Sequence, residues 1–269
     1  MGSITWPAAA PATAPHPQPP PALRSAVAHT PAPQPQPRPQ QAAAQPAGPS
    51  KPPRPAPTSV ALPDGCAVAR RIIASDNSCL FNAVGYVMEA TRSKAQELRR
   101  VIARAVSSDP VTYNEGFLGE SNPAYCSWIL KPDKWGGAIE LSILATHYGR
   151  EIAAYDIQTK RCDVYGQGNG YKERVMVIYD GLHYDALALA AFEGAPEELD
   201  VTVLQVGSEQ EASASAGAAR LVAACHDARQ FTDIANFALR CGVCQIGIKG
   251  EREAAEHAKA TGHTRFSEY

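Results

Sequence analysis

The chain is expected to fold as an α+β protein, with a sheet lying between helical lobes. A small ββα module follows it, and a segment that builds no core precedes it. Three observations lead there. Eighteen of the 23 prolines lie in residues 1–60. Helical periodicity over residues 80–148 gives way to strand-like runs over 152–189. Near the C-terminus two cysteines and two histidines are spaced Cys241-x2-Cys244-x12-His257-x5-His263.

In the segment 1–63, residues 1–60 carry 14 alanines, and no acidic residue precedes Asp64. Proline removes backbone donors, and Ala, Gln and Pro bury too little apolar area to offset chain entropy. This segment reads as disordered and partly polyproline-II, most clearly in PAPQPQPRP at 31–39. Residues 64–206 then form the main domain, 207–231 a linker and 232–269 the terminal module.

Within the main domain, Val68–Ile73 reads as a strand and Ser75–Ser78 as a turn. Leu80, Ala83, Val84, Val87 and Met88 recur on one helical face. A second helix is expected from Ser93, with Gln96 completing a capping box and Leu98, Val101, Ile102 and Ala105 buried. Asp109-Pro110 and Asn122-Pro123 each read as an N-cap followed by proline at the first helical position. Gly137–Tyr148 is an apolar helix stopped at Gly149. Ile152–Ile157 and Arg161–Tyr165 form a hairpin; Arg174–Tyr179, the turn Asp180-Gly181 and a strand at His183–Leu189 follow. Helices first and a meander of strands second is the α+β pattern. Residues 207–217, rich in Ser, Ala, Gly and Glu, read as the start of the linker.

The bulk numbers exclude several classes. A net charge of −2 argues against a general nucleic-acid binder. No stretch approaches the ~18 apolar residues of a membrane span, and no secretory signal is visible. Seven cysteines without a regular framework point to metal binding or catalysis rather than disulfides. The expected compartment is the cytoplasm, and also the nucleus.

The terminal spacing fits structural Zn2+ held by Cys241, Cys244, His257 and His263. Phe237–Arg240 leads in as a strand, Gly247–Gly250 reads as a turn, and Glu251–Ala260 as the helix carrying His257. Ile248 and Ala254 are its expected core. The helix positions that read bases in DNA-binding fingers hold Gly250, Glu253 and Glu256. Two acids and a glycine neither grip phosphate nor read guanine, so a protein-contact or structural finger is expected.

A second constellation carries chemistry. In Asp76-Asn77-Ser78-Cys79 the cysteine falls at a helix N-terminus, where free N–H groups and the dipole favour thiolate and could bind an oxyanion. His183, between a strand and the acids Asp180 and Asp185, is a base held in a fixed place. His147 reads as a surface residue, and Cys66, Cys126, Cys162 and Cys225 as packing or surface thiols.

At these residues the chain resembles a known family. Asp76-Asn-Ser-Cys-Leu-Phe81 is similar to the cysteine loop of the ovarian-tumour (OTU) cysteine proteases, which are deubiquitinases. Lys131-Pro-Asp-Lys-Trp-Gly-Gly-Ala-Ile-Glu140, Tyr155-Asp-Ile157 and Asp180-Gly-Leu-His-Tyr184 follow in that family's order. With the finger, the combination resembles the subfamily typified by yeast Otu1, in its plant form. The resemblance implies the OTU fold over about residues 68–200. It also implies thiol-dependent hydrolysis of isopeptide, peptide or thioester bonds after the C-terminal Gly-Gly of ubiquitin, trimming polyubiquitin chains or freeing ubiquitinated proteins in protein quality control, including endoplasmic-reticulum-associated degradation.

Cys79 is then the nucleophile, His183 the base, and no cofactor serves catalysis. The resemblance points to Asp76 as the third catalytic residue; the residues also offer Asp185, two positions after His183 on one strand face. The Trp135-Gly136-Gly137 turn and the loop at 111–122 would line a ubiquitin groove. Animal and fungal relatives carry a UBX-like module ahead of the protease domain, which docks on the AAA unfoldase valosin-containing protein. Here a Pro/Ala segment holds that place, so the resemblance does not carry over the unfoldase, valosin-containing protein, as a partner by that route.

Overall fold

The computed structural model describes residues 57–233, 238–263 and 266–268. The Pro-rich reading of residues 1–56 lies outside them. The fold begins earlier than residue 64: β1 (Ser59–Ala61) pairs antiparallel with β2 (Ala67–Arg71) across a turn at 62–66. The first helices are α1 (Cys79–Glu89), α2 (Ala95–Ser108), α3 (Glu115–Leu118), α4 (Asn122–Ile129) and α5 (Ala138–Tyr148). Then come β3 (Glu151–Asp156), β4 (Cys162–Tyr165), β5 (Glu173–Tyr179), β6 (Tyr184–Ala190), β7 (Leu204–Gln205) and α6 (Glu209–Asp227).

One sheet runs β1-β2-β6-β5-β3-β4, with β7 pairing to β5. Only β3 and β5 pair in parallel, Ile152 opposite Val175; β2–β6, β5–β6 and β3–β4 are antiparallel. Alternate side chains along each strand serve opposite layers. Val175 and Val177 face a core with Phe81, Val84, Leu98, Ile102, Ile129 and Leu144. Met176 and Ile178 face a second core with Val68, Leu187, Leu221 and Val222. Residues 79–88 of α1 are buried throughout, so this helix is wrapped by its neighbours, as an all-round apolar helix requires.

The second core corrects the linker reading of 207–231. Residues 209–227 form α6, which covers the far face of the sheet with Ala214, Gly217, Ala218, Leu221, Val222 and Cys225. Ser208 caps it by accepting the Glu211 N–H at 3.1 Å. The buried stripe is built mainly from alanine and glycine, so its low hydrophobicity hid a helix that packs close because its side chains are small.

Two other boundaries shift. Lys94, not Ser93, is the N-cap of α2; its ammonium is held by Glu89 at 2.7 Å and Glu97 at 2.9 Å. Asp109-Pro110 starts no helix, because the Asp109 carboxylate closes a turn onto the Thr112 N–H at 3.0 Å. For α4 the cap is Ser121, one residue earlier than expected. Asn122 instead donates to the Val106 and Tyr113 carbonyls, tying the 111–122 segment to α2.

The terminal module contains β8 (Ala238–Cys241), β9 (Gly247–Lys249), α7 (Gly250–Thr261) and β10 (Phe266–Glu268), its sheet ordered β10-β8-β9. The expected turn at 247–250 is thus strand β9 leading straight into α7. The reversal comes earlier, where the Gln245 N–H donates to the Cys241 carbonyl at 2.9 Å. Among the described residues, no helix is long and apolar enough to cross a membrane.

Candidate active site

Beyond β2 the chain leaves the sheet at Ile73 and turns into α1, whose first residue is Cys79. The turn is shaped by Asp76. Its carboxylate accepts the Ser78 N–H at 2.7 Å, an Asx turn, while its own N–H donates to Ala74 at 2.9 Å. The Cys79 N–H makes only a long 3.4 Å contact with the Asp76 carbonyl. Among these amides it is therefore the one open to a developing oxyanion.

The thiol departs from expectation. Burial pushes its pKa above the ordinary cysteine value; the backbone amides of Tyr184 and Leu80 pull it back, and Asp76 and Asp185 add to the rise. Desolvation outweighs the helix N-terminus. This environment favours the thiol over the thiolate, which gives a neighbouring base a role.

The base comes from the β5–β6 turn. Asp180 accepts the N–H groups of Leu182 at 3.0 Å and His183 at 2.7 Å, folding the turn so that the imidazole projects at a fixed point. Gly181 lies at φ +103°, and a Cβ there would sit 2.4 Å from the Thr232 carbonyl oxygen. Thr232 also donates its N–H to the Asp180 carbonyl at 2.7 Å. The segment after α6 therefore braces the turn from behind.

His183 Nε2 lies 3.1 Å from Asp185 Oδ1. A carboxylate only accepts, so the imidazole proton sits on Nε2 and Nδ1 presents its lone pair. Asp185, 1% exposed, is itself held by the Ile73 N–H at 2.6 Å and Arg70 Nε at 2.7 Å. Of the two candidate carboxylates, the structure brings Asp185 to the imidazole, whereas Asp76 is engaged in shaping the cysteine turn. A strand's two-residue period puts His183 and Asp185 on one face, and the sheet buries that pair beside β2.

Around Cys79 runs a narrow slot lined by Trp135, Gly136, Tyr179, Leu182 and Tyr184. Trp135 Nε1 donates to Asn77 Oδ1 at 2.6 Å. The rings of Tyr179 and Tyr184 stack with centroids 4.5 Å apart. Gly136 passes so close to Phe81 that a Cβ would lie 2.9 Å from the ring. Of the regions expected to line the groove, the 135–137 turn contributes Trp135 and Gly136 to this slot; the 111–122 loop does not.

Sequence reasoning missed Arg70, Arg99 and Thr232. Arg99 had left a signal: it falls on the same helical face as Leu98, Ile102 and Val106, and a charge on a buried stripe needs partners. Thr232 left none, since only the tertiary fold brings it to Asp180.

In the terminal module the ligand atoms of Cys241, Cys244, His257 and His263 all lie within 4.8 Å of one another. Cys241 Sγ is 3.6 Å from His263 Nδ1, and Cys244 Sγ is 3.4 Å from His257 Nε2. Zn–S and Zn–N bonds of about 2.3 and 2.0 Å give S···N tetrahedral edges of about 3.5 Å, so the donor set and its spacing fit zinc. Ile248 and Ala254 pack with Leu239 and Cys241, as the spacing predicted.

The sequence matches two families: OTU-like cysteine protease over residues 74–186, and the C-terminal C2H2-type zinc finger of ubiquitin thioesterase OTU1 over 235–269. It is 64% identical over 203 residues to an Arabidopsis thaliana protein named ovarian tumor domain-containing deubiquitinating enzyme 2, covering 75% of this chain and 98% of that one. To the ubiquitin thioesterase OTU1 of Dictyostelium discoideum it is 49% identical over 201 residues, 74% of this chain and 61% of the relative. Among solved structures, an OTU domain in complex with ubiquitin shares the fold at 24% identity and TM-score 0.60, over 65% of this chain and 97% of that one.

Proposed function

Because this chain belongs to the OTU-like cysteine protease family, we propose that it is a deubiquitinase whose nucleophile is Cys79, whose base is His183 and whose imidazole is oriented by Asp185. The observation that carries this reading is the Asp185–His183 pair, its carboxylate close enough to act on the Cys79 thiol, with that cysteine lining a narrow slot between Trp135, Gly136 and Tyr184. A chain end of two glycines fits such a slot, since it brings backbone without Cβ atoms past Trp135 and Gly136.

The chemistry follows from the geometry. The raised thiol gives its proton to His183 Nδ1 as Sγ attacks the carbonyl of the terminal glycine of ubiquitin. Imidazolium forms between Cys79 and the carboxylate of Asp185, which stabilises it. The oxyanion is met by the Cys79 N–H. Losing a donor of this kind costs about 10²–10³ in rate. His183 then protonates the departing lysine amine and serves as base for the water that cleaves the thioester. Polyubiquitin chains and ubiquitinated proteins are the substrates this reading implies.

Ubiquitin carrying a C-terminal electrophile tests it. The wild type should form a covalent adduct and Cys79→Ala none; failure of the wild type to label, or labelling of Cys79→Ala, overturns the reading. For the finger, the proposed ion is zinc at Cys241, Cys244, His257 and His263, giving this module a structural centre with no part in catalysis. Metal analysis of the wild type and Cys241→Ser should find one zinc in the first and none in the second. Use of cysteines as nucleophile and metal ligands rather than as a disulfide framework is the basis for the proposed cytoplasmic or nuclear setting.

A further inference from the structure

Arg99 is fully buried without a carboxylate against it among its hydrogen-bond partners. Burying an unpaired guanidinium costs several kcal/mol, and arginine stays charged in proteins. The cation is instead met by oxygens from two chain segments. The two Nη2 hydrogens are shared among the Lys134 carbonyl at 2.7 Å, the Asn77 carbonyl and Ser78 Oγ, both at 3.1 Å, and the Pro132 carbonyl at 3.3 Å. Nη1 donates to the Ile129 carbonyl at 3.0 Å. The guanidinium also lies 4.1 Å over the ring of Phe81, a favourable cation–π position.

These partners are not an arbitrary part of the core. Asn77 and Ser78 immediately precede Cys79; Lys134 immediately precedes Trp135 and Gly136 on the other wall of the slot. One cation therefore gathers both walls, and the Trp135–Asn77 hydrogen bond closes them at the surface. Ser78 makes no side-chain cap to α1; its hydroxyl serves Arg99. With the Asn77 carbonyl drawn inward, the turn holds the Cys79 N–H where an oxyanion would form.

Resting on the reading of Cys79 as nucleophile, we propose that Arg99 is a positioning residue, which holds the cysteine turn in the form that stabilises the tetrahedral intermediate. Lysine cannot replace it, because a single ammonium does not reach the five diverging oxygens that the guanidinium meets. The role is specific to acyl transfer. Alkylation of the thiol by iodoacetamide develops no oxyanion, so it should not need Arg99.

The experiment compares these two reactions in the full chain. With ubiquitin bearing a C-terminal aminocoumarin, Arg99→Lys should lose about 30-fold or more in kcat with KM changed less than about threefold. Iodoacetamide labelling, followed at the Cys79 peptide by mass spectrometry, should stay within about threefold of wild type. Ser78→Ala removes one acceptor and should cost about 3–10-fold in kcat. The double variant should be no slower than Arg99→Lys alone.

Equal losses in hydrolysis and labelling, or additive effects in the double variant, overturn the proposal. If Arg99→Lys does not fold, Ser78→Ala decides: wild-type kcat there overturns it, and a kcat loss with normal labelling supports it. A wild type that cleaves nothing removes the functional reading and this inference together, whereas a wild type and Arg99→Lys that cleave alike remove the inference alone.

Discussion

At the scale of single residues, the division of labour between two aspartates gives the sharpest test. Asp185 accepts from His183, Ile73 and Arg70, while Asp76 accepts from the Ser78 N–H. Asp185→Asn should therefore lower kcat about 10²–10⁴-fold, because an amide stabilises imidazolium poorly and favours the wrong tautomer. Asp76→Asn should keep activity within about tenfold, since an amide oxygen still closes the Asx turn. Steady-state kinetics on ubiquitin-aminocoumarin checks both; the reverse ranking would make Asp76 the orienter. The thiol offers a second test. Burial raises its pKa, so at any given pH less thiolate is present than in a free cysteine. In His183→Ala, labelling of Cys79 by iodoacetamide should keep rising above pH 8.5, about where an unperturbed thiol is half ionised; a plateau below that pH would show a stabilised thiolate. The proposed nucleophile and base were legible in the sequence because strand, turn and cap chemistry surround them. The acid at the imidazole was legible only as one of two, because side-chain burial decides which carboxylate reaches the ring.

At the scale of elements, α6 and the His183 turn matter most. Removing α6 uncovers Val68, Met176, Ile178, Leu187 and Leu189, each worth about 1.5–3 kcal/mol when buried. That sum is as large as the whole stability of a typical domain. A chain ending after Val206 should fail to fold, and one ending after Asp233 should fold cooperatively, as measured by thermal melts with circular dichroism. Folding of the shorter chain would restore the linker reading. Gly181→Ala tests the turn. A side chain there is strained at φ +103° and strikes the Thr232 carbonyl, so stability should fall by about 1–3 kcal/mol. Activity should fall as well, because the strike moves the turn that carries His183. Helices α1, α2 and α5 and the β3–β4 hairpin were legible from periodicity. The helix over 209–227 was not, because alanine and glycine give little hydrophobic contrast even where they are buried.

For the whole molecule, the catalytic unit and the finger should respond differently to metal removal. The finger's buried core is Leu239, Cys241, Ile248 and Ala254. Four such side chains cannot offset about 1.5 kcal/mol of entropy for each ordered residue, so on the proposed zinc reading the metal supplies the difference. The segment bracing His183 is fastened to the catalytic unit itself. Gln230 bonds to Cys225 at 3.0 Å, Gln158 to Asp233 at 3.1 Å, and Phe231 stacks on His226. A strong chelator should therefore unfold residues 238–268 while leaving hydrolysis of ubiquitin-aminocoumarin within about threefold of its starting rate, read by NMR and kinetics on one sample. A parallel loss of both would show that the finger holds the brace. By itself the sequence determined the α+β class, the Cys/His set of the finger, and the cysteine and histidine proposed to carry the chemistry. These follow from local periodicity and from spacing within a few turns of chain. Only the tertiary structure decided that α6 closes the sheet, that Asp185 takes the imidazole, and that Arg99 and Thr232 hold the two turns of the site. Those contacts join residues distant in sequence, and their energies depend on burial, which no local pattern encodes.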